Sequence, residues 1–134
     1  MELNIFTDGS TLNNQRKGNR CGGIGIFFGD NDERNLSISL KESKDFKVTN
    51  QVAELLACIY AIEKNINDIK NYDITICTDS MYVLNSMTKW AFKWKKNNWI
   101  NSKGKTVENL ELIKNLFNYT NNYNIKYKHI RAHQ

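Results

Sequence analysis

Three acidic residues of this 134-residue chain have the type and the spacing that a metal site requires: Asp8, Glu54 and Asp79. Asp8 is expected at the end of a first strand and Asp79 at the end of a later one, whereas Glu54 stands near the start of a helix. Acids in such places can converge above a sheet, where their carboxylates repel one another unless a cation neutralises them. Hard oxygen ligands favour Mg²⁺, which keeps several waters and completes its shell with phosphate oxygens.

Each acid taken alone also has a purely structural interpretation. Asp8-Gly9-Ser10 and Asp79-Ser80 are common in turns and helix caps, and a glutamate early in a helix often only interacts with the helix dipole. Glu54, however, has apolar residues on both sides in the sequence, so a carboxylate without a partner there would be costly. The metal hypothesis therefore rests on the three acids together.

The elements that must position these acids follow from the spacing of the apolar residues. Alternation with a period of two predicts strands over residues 3–8, 24–28 and 36–40, and their short connections favour an antiparallel meander. From Val52 to Ile62 the spacing becomes helical, with Thr49 or Asn50 available as the N-cap.

The second half of the chain predicts a crossover arrangement. A strand over residues 74–78 is followed by a helix that Ser80 could cap, a further helix over 110–117 and a last strand over 125–129. A strand–helix–strand passage favours parallel pairing. We therefore predict one α/β domain over residues 1–134, with a mixed five-stranded sheet flanked by helices. The motif Gly23-Ile24-Gly25 precedes strands and not a helix, so it lacks the context of a dinucleotide site.

Composition narrows the possible partners and the compartment. The net charge of +5 is compatible with a polyanionic partner, although many basic proteins bind no nucleic acid. The three cysteines have no paired spacing, so we expect Cys58 and Cys77 to be buried free thiols in a reducing, cytoplasmic setting. No long apolar segment is present in the sequence, so we expect no membrane contact, and we expect a monomer.

The segment from Lys89 to Lys105 combines lysines with tryptophans. Lys89, Lys93, Lys95 and Lys96 alternate with Trp90, Trp94 and Trp99. This pattern suits phosphate contacts beside flat surfaces for sugars or bases. A helix with an apolar core face and snorkelling lysines gives the same pattern. We expect both, with Trp99 in the core.

Several segments together resemble type 1 ribonuclease H in residue identity, order and spacing. They are Phe6-Thr7-Asp8-Gly9-Ser10, Thr49-Asn50-Gln51-Val52-Ala53-Glu54-Leu55, Thr78-Asp79-Ser80-Met81-Tyr82-Val83, and the stretch Trp90 to Trp99 followed by Gly104-Lys105 and Asn109. The resemblance covers essentially the whole chain, and an ordered combination is far more specific than any single motif.

The resemblance implies an endonuclease that hydrolyses the RNA strand of RNA–DNA hybrids and leaves 5′-phosphate and 3′-hydroxyl ends. It implies that Asp8, Glu54 and Asp79 hold two Mg²⁺ ions, for which Mn²⁺ could substitute, around the scissile phosphate. It also implies that His133 is the family's mobile histidine, which assists proton transfer or product release.

The resemblance further implies a set of substrate-binding residues. The family distinguishes RNA from DNA through the 2′-hydroxyl groups. By position, Asn14, Asn50 and Gln51 contact the RNA strand, Lys47, Thr49 and Asn109 grip a DNA-strand phosphate, and Trp90, Trp94 and Ser102 line the deoxyribose channel. The family often has Arg where this chain has Lys47, which exchanges a bidentate grip for a point charge.

One family feature is absent from the sequence given. The family's fourth carboxylate follows the histidine on a last helix, whereas here Gln134 alone follows His133. A shortened enzyme, a site that works with three acids, and an inactive relative are all compatible with this sequence. The alternatives to a ribonuclease H are thus a catalytically weakened hybrid-binding module and a DNA nuclease of the same fold.

Overall fold

The sheet in a computed structural model of the protein, which describes residues 1–11 and 20–131, has five strands in the order β3-β2-β1-β4-β5. Strands β1, β2 and β3 form an antiparallel meander, and β4 pairs in parallel with both β1 and β5. The predicted mixed sheet is therefore confirmed. The strands are β1 (Glu2–Thr11), β2 (Cys21–Phe27), β3 (Leu36–Lys41), β4 (Asp73–Thr78) and β5 (Lys126–His129).

Helices α1 and α3 begin where the sequence provides side-chain caps. The Thr49 hydroxyl accepts a hydrogen bond from the Val52 amide at 3.1 Å, and Ser80 accepts one from Val83 at 3.1 Å. Both bonds satisfy amides that a helix N-terminus otherwise leaves without a partner. The helices are α1 (Asn50–Glu63), α2 (Ile66–Ile69), α3 (Met81–Asn85), which continues through a π-helical turn (Ser86–Trp90) into α4 (Ala91–Lys96), and α5 (Leu110–Asn122). Within the described ranges, no helix has the length and apolar character needed to cross a membrane.

The core lies between the sheet and the helices. Alternate residues of β1, such as the fully buried Ile5, meet Leu55 and Ile59 of α1 and Leu116 of α5. Trp99, which we expected in the core, is only partly buried and packs edge-to-face on the ring of Phe117, with ring centroids 6.1 Å apart. Trp99 follows α4 and packs against the core cluster from its periphery.

Cys58 and Cys77 are buried free thiols, as predicted. Cys58 is completely buried in α1, with its Sγ 3.5 Å from the Thr7 Oγ1. Burial raises the pKa of Cys58 to about 12, so this thiol stays protonated and has little nucleophilic character. Its contribution is packing.

Helix α1 approaches β1 most closely at Gly9. A Cβ atom on Gly9 would lie 2.3 Å from the carbonyl carbon of Ala53 and 2.6 Å from the amide nitrogen of Glu54. Both atoms belong to the backbone, which cannot turn aside as a side chain can. Only glycine therefore lets α1 lie at this depth on the sheet.

We expect Gly9→Ala to destabilise the protein by about 1–3 kcal/mol or more, because overpacking against a backbone forces α1 to move. Gly25→Ala is the matched control, since a Cβ there would meet nothing within 4 Å. Urea denaturation of both variants measures the difference. Equal stabilities for the two variants would contradict the close approach at Gly9.

Candidate active site and nucleic-acid groove

Asp8 and Asp79 lie side by side where the parallel ladder between β1 and β4 ends. The parallel register pairs Thr7 with Thr78, and each aspartate is the next residue along its chain. Both aspartates line a cavity of about 410 Å³. Asp79 follows β4 directly, as predicted.

The position predicted for Asp8, at the end of the first strand, is wrong. Strand β1 continues to Thr11, because its antiparallel pairing with β2 extends from Phe6 to Thr11 after the pairing with β4 has ended at Thr7. Asp8 instead marks the point where the parallel pairing stops. Asp8 nevertheless lies beside Asp79, because each directly follows a member of the last pair of the β1–β4 ladder, Thr7 and Thr78.

Glu54 approaches the two aspartates from α1. It is the fifth residue of the helix, and its backbone amide is among the atoms that pack against Gly9. Its Oε2 accepts a short hydrogen bond from the hydroxyl of Ser80, the residue after Asp79. One hydrogen bond thus joins the start of α1 to the end of β4.

The three carboxylates influence one another electrostatically. Burial raises the pKa of Glu54 above its ordinary value, the Ser80 hydrogen bond lowers it, and the charges of Asp79 and Asp8 raise it further. Ionised Glu54 is therefore disfavoured by desolvation and by two like charges. A cation between the three groups would reverse the effect of those like charges.

The donor set fits a hard divalent cation, although its side chains do not surround a single point. Within residues 1–11 and 20–131, no three Asp, Glu, His or Cys side chains form a group that could hold a metal as they stand. The oxygen-only chemistry of Asp8, Glu54 and Asp79 is the type that Mg²⁺ prefers.

A groove lies beside α1 and brings together four of the predicted substrate residues. Its cavity has a volume of about 520 Å³ and contains Gln51, Trp90, Trp94 and Ser102. The rings of Trp90 and Trp94 stand with centroids 5.9 Å apart and form one wall. The groove also contains residues that sequence reasoning missed: Tyr82, Asn101, Lys103, Lys105, Thr106, Val107 and Glu108. The lysines around Gly104 were the one available signal for that loop.

Three further predicted residues stand near the start of α1 or at the groove. The carboxamide oxygen of Asn50 accepts hydrogen bonds from Thr11, at 3.0 Å from its amide and 2.7 Å from its hydroxyl. Lys47 is exposed just before the helix, and the Asn109 Nδ2 donates to the Tyr82 hydroxyl at 3.3 Å. Asn50, like the cap Thr49, therefore has a structural task as well. The predictions for Asn14 and His133 lie outside the described residues.

The lysines of α4 divide between two surfaces. Lys93 lines a cavity with Trp90, Trp94 and Ser102. Lys95 and Lys96 instead stand beside Phe92 and Phe117, on the side of α4 that faces α5. The sequence pattern treated these lysines as one set, but the helix directs only Lys93 toward the tryptophan wall.

Comparisons with known proteins agree with this architecture. The family model for RNase H matches residues 1–134. Ribonuclease H of Schizosaccharomyces pombe is 37% identical over 129 residues, which are 96% of this chain and 46% of that protein. Ribonuclease HI of Pasteurella multocida is 36% identical over 134 residues, covering 98% of this chain and 79% of the relative. The solved foamy viral protease-reverse transcriptase in complex with RNA/DNA hybrid superposes with a TM-score of 0.75 at 25% identity, over 96% of this chain and 17% of that one.

The fold class defined by the sheet order and these likenesses is the ribonuclease H-like α/β domain. The match over the whole chain establishes that the chain belongs to the ribonuclease H family. It spans about half the length of the Schizosaccharomyces pombe relative.

The pKa of Glu54 generates a prediction about stability and pH. Because the folded state holds the pKa of Glu54 above its ordinary value, ionising Glu54 costs more in the folded chain than in the unfolded one. That cost is absent below the unfolded pKa and grows as the pH rises through the folded pKa. We expect Glu54→Gln, without divalent cations, to melt at a higher temperature than wild type at neutral pH and at the same temperature near about pH 4.

A carboxyl NMR titration tests the cause of the shift. Asp79→Asn should lower the pKa of Glu54, because it removes a like charge, whereas Ser80→Ala should raise it by removing a stabilising hydrogen bond. A Glu54→Gln variant that melts at or below the wild-type temperature at neutral pH would contradict this account.

The division of the lysines predicts different salt dependences. Lys93→Ala should reduce the slope of log affinity against log salt for a hybrid oligonucleotide by about one unit or less, as expected for one lost phosphate contact. Lys96→Ala, on the other face of the same helix, should leave the slope unchanged and serves as the control. Filter binding over a salt series measures both slopes. Equal slopes for the two variants would contradict the prediction, because the phosphate backbone would then contact neither lysine or both.

Proposed function

We propose that this protein is an endoribonuclease that hydrolyses the RNA strand of RNA–DNA hybrids in a metal-dependent reaction. The observation that carries the proposal is the course of α1, which connects the groove to the acids. Gln51 lines the groove with the tryptophans, and Glu54, one helical turn further along, stands with Asp8 and Asp79. A duplex lying in the groove would thus present a phosphodiester to the three carboxylates.

Asp8, Glu54 and Asp79 would hold the metal ions. Two Mg²⁺ ions held there, or Mn²⁺ in their place, would supply activation of the attacking water and stabilisation of the charge on the leaving oxygen. We propose that the cut leaves 5′-phosphate and 3′-hydroxyl ends. The protein contributes by placing the three carboxylates close together at the end of the β1–β4 ladder. Ser80 contributes by fixing one oxygen of Glu54. By family resemblance we assign proton transfer or product release to His133.

The groove would choose the substrate. Trp90 and Trp94 present flat surfaces suited to the deoxyribose backbone, and Lys93 beside them suits a phosphate. We assign recognition of 2′-hydroxyls in the minor groove to Gln51, which lines the groove, and to its neighbour Asn50. We assign the same role to Asn14, and the grip on a DNA-strand phosphate to Lys47, Thr49 and Asn109.

The hybrid-bound relative supports this choice of substrate. The foamy viral protein was solved in complex with RNA/DNA hybrid, and the matching domain covers nearly all of this chain. A hybrid-binding module with weak catalysis is the second candidate, because the described carboxylates do not surround one point. We also propose a reducing, cytoplasmic setting, in keeping with the buried free thiols of Cys58 and Cys77.

Cleavage of end-labelled duplexes tests the proposed activity. With Mg²⁺ we expect cutting of the RNA strand in a hybrid and little cutting of double-stranded DNA or RNA, because only the hybrid pairs a 2′-hydroxyl strand with a deoxyribose strand. Asp8→Asn should reduce the rate by at least about a thousandfold, since it removes a charge from the metal site without changing side-chain volume. Its affinity for the hybrid should remain within about twofold of wild type, because the groove is untouched.

Each rival function has its own outcome in this assay. Binding of the hybrid without cleavage in either Mg²⁺ or Mn²⁺ would identify the hybrid-binding module. Comparable cleavage of double-stranded DNA would identify a DNA nuclease. Wild-type rates from Asp8→Asn would show that the carboxylate assignment is wrong.

A further inference from the structure

Glu42 is a buried carboxylate that the proposed reaction does not use. It follows β3 and is only 8% exposed, although the residues on both sides of it are exposed. A charged group is withdrawn from water only where the protein compensates it. Part of that compensation is a hydrogen bond from the Val48 amide to the Glu42 Oε2, at 3.0 Å.

This bond closes a loop that leads directly to the start of α1. Inside the loop, Ser43 and Phe46 exchange backbone hydrogen bonds of 2.9 and 3.3 Å. Val48 is completely buried, and the ring of Phe46 packs on the same core cluster. Lys47 is thereby held between two anchored neighbours with its own side chain in solvent.

We propose that Glu42 is a positioning residue for the DNA-strand phosphate grip, an inference that rests on the proposed function. Its carboxylate fixes the backbone of Val48, and so it sets both the point from which Lys47 extends and the place where Thr49 caps α1. The benefit is preorganisation, because a loop already held in its bound shape loses less conformational entropy when the substrate arrives. Glu42 is proposed to act through its hydrogen bond to the Val48 amide.

The role predicts an effect on KM and not on kcat. Glu42→Ala, which removes the acceptor, should raise the KM for a hybrid roughly tenfold and leave kcat within about twofold, the pattern of lost uniform binding. Glu42→Gln keeps an oxygen that can accept from Val48 and should stay within about twofold of wild type in both constants. Glu63→Ala is the control for the loss of a carboxylate hydrogen bond away from the loop. It removes the bond of 2.8 Å that the Tyr119 hydroxyl donates to Glu63, which joins α1 to α5.

A coupling measurement separates positioning from general stability. In an Asp8→Asn background, used so that the hybrid is not cut, Glu42→Ala should lower the salt slope of binding by about one unit or less through the loss of the Lys47 contact. Adding Glu42→Ala to Lys47→Ala should then weaken binding by less than the sum of the single changes. Full additivity would overturn the inference.

The remaining outcomes are equally decisive. An unchanged KM for Glu42→Ala, or a fall in kcat alone, would overturn the role, as would a Glu42→Gln variant as impaired as Glu42→Ala. If melting shows that Glu42→Ala is unfolded, Glu42→Asp takes its place, and its shorter reach must still raise KM. A wild-type protein that neither binds nor cuts the hybrid would refute the proposed function, whereas a wild-type protein that cuts it with unaltered KM in Glu42→Ala would refute this inference alone.

Discussion

The contact between α1 and β1 at Gly9 is the constraint on which both the core and the acid site depend. Because no Cβ stands between them, the backbone atoms of Ala53 and Glu54 reach the strand directly. This depth lets Leu55 and Ile59 fill the space above the sheet. The same contact brings Glu54 to the part of β1 that carries Asp8. Packing and chemistry are therefore set by one close approach.

The acid site is a place where the fold accepts an unfavourable arrangement. Burial, together with the charges of Asp79 and Asp8, raises the pKa of Glu54, and a stable fold has no need of that. Ser80 partly offsets the effect, since its hydroxyl donates to Glu54 and also accepts from the first turn of α3. Local conflict of this kind is expected at functional sites, where stability is given up for chemistry. Ser80 consequently links the catalytic candidates to the helix that leads to the groove.

The groove depends on an irregular course of the chain between β4 and α5. The π-helical turn (Ser86–Trp90) carries Trp90 into place against Trp94, and such turns often occur at functional sites. After α4, Asn98 and Trp99 both have positive φ, at 55° and 61°, which is uncommon for residues other than glycine. This reversal folds the loop that contains Ser102 back beside the tryptophans. A regular helix followed by an ordinary turn would not enclose the same space.

Local sequence patterns suffice to predict the five strands, most of the helices and the chemical groups of the acid site. Alternation and helical spacing are local properties, so the strands, α1 and its Thr49 cap, and the Ser80 cap could all be predicted from neighbouring residues. The three acids could be selected because their motifs occur in family order. The folded chain sets what depends on distant partners. Strand β1 runs past Asp8, because its ladder with β2 is shifted along β1 relative to its ladder with β4. Lys93 and Lys96 face different surfaces, because one side of α4 faces α5. Glu42 can be buried because the Val48 amide donates to it. Such contacts join residues whose separation along the chain carries no periodic signal, and only the folded chain brings them together.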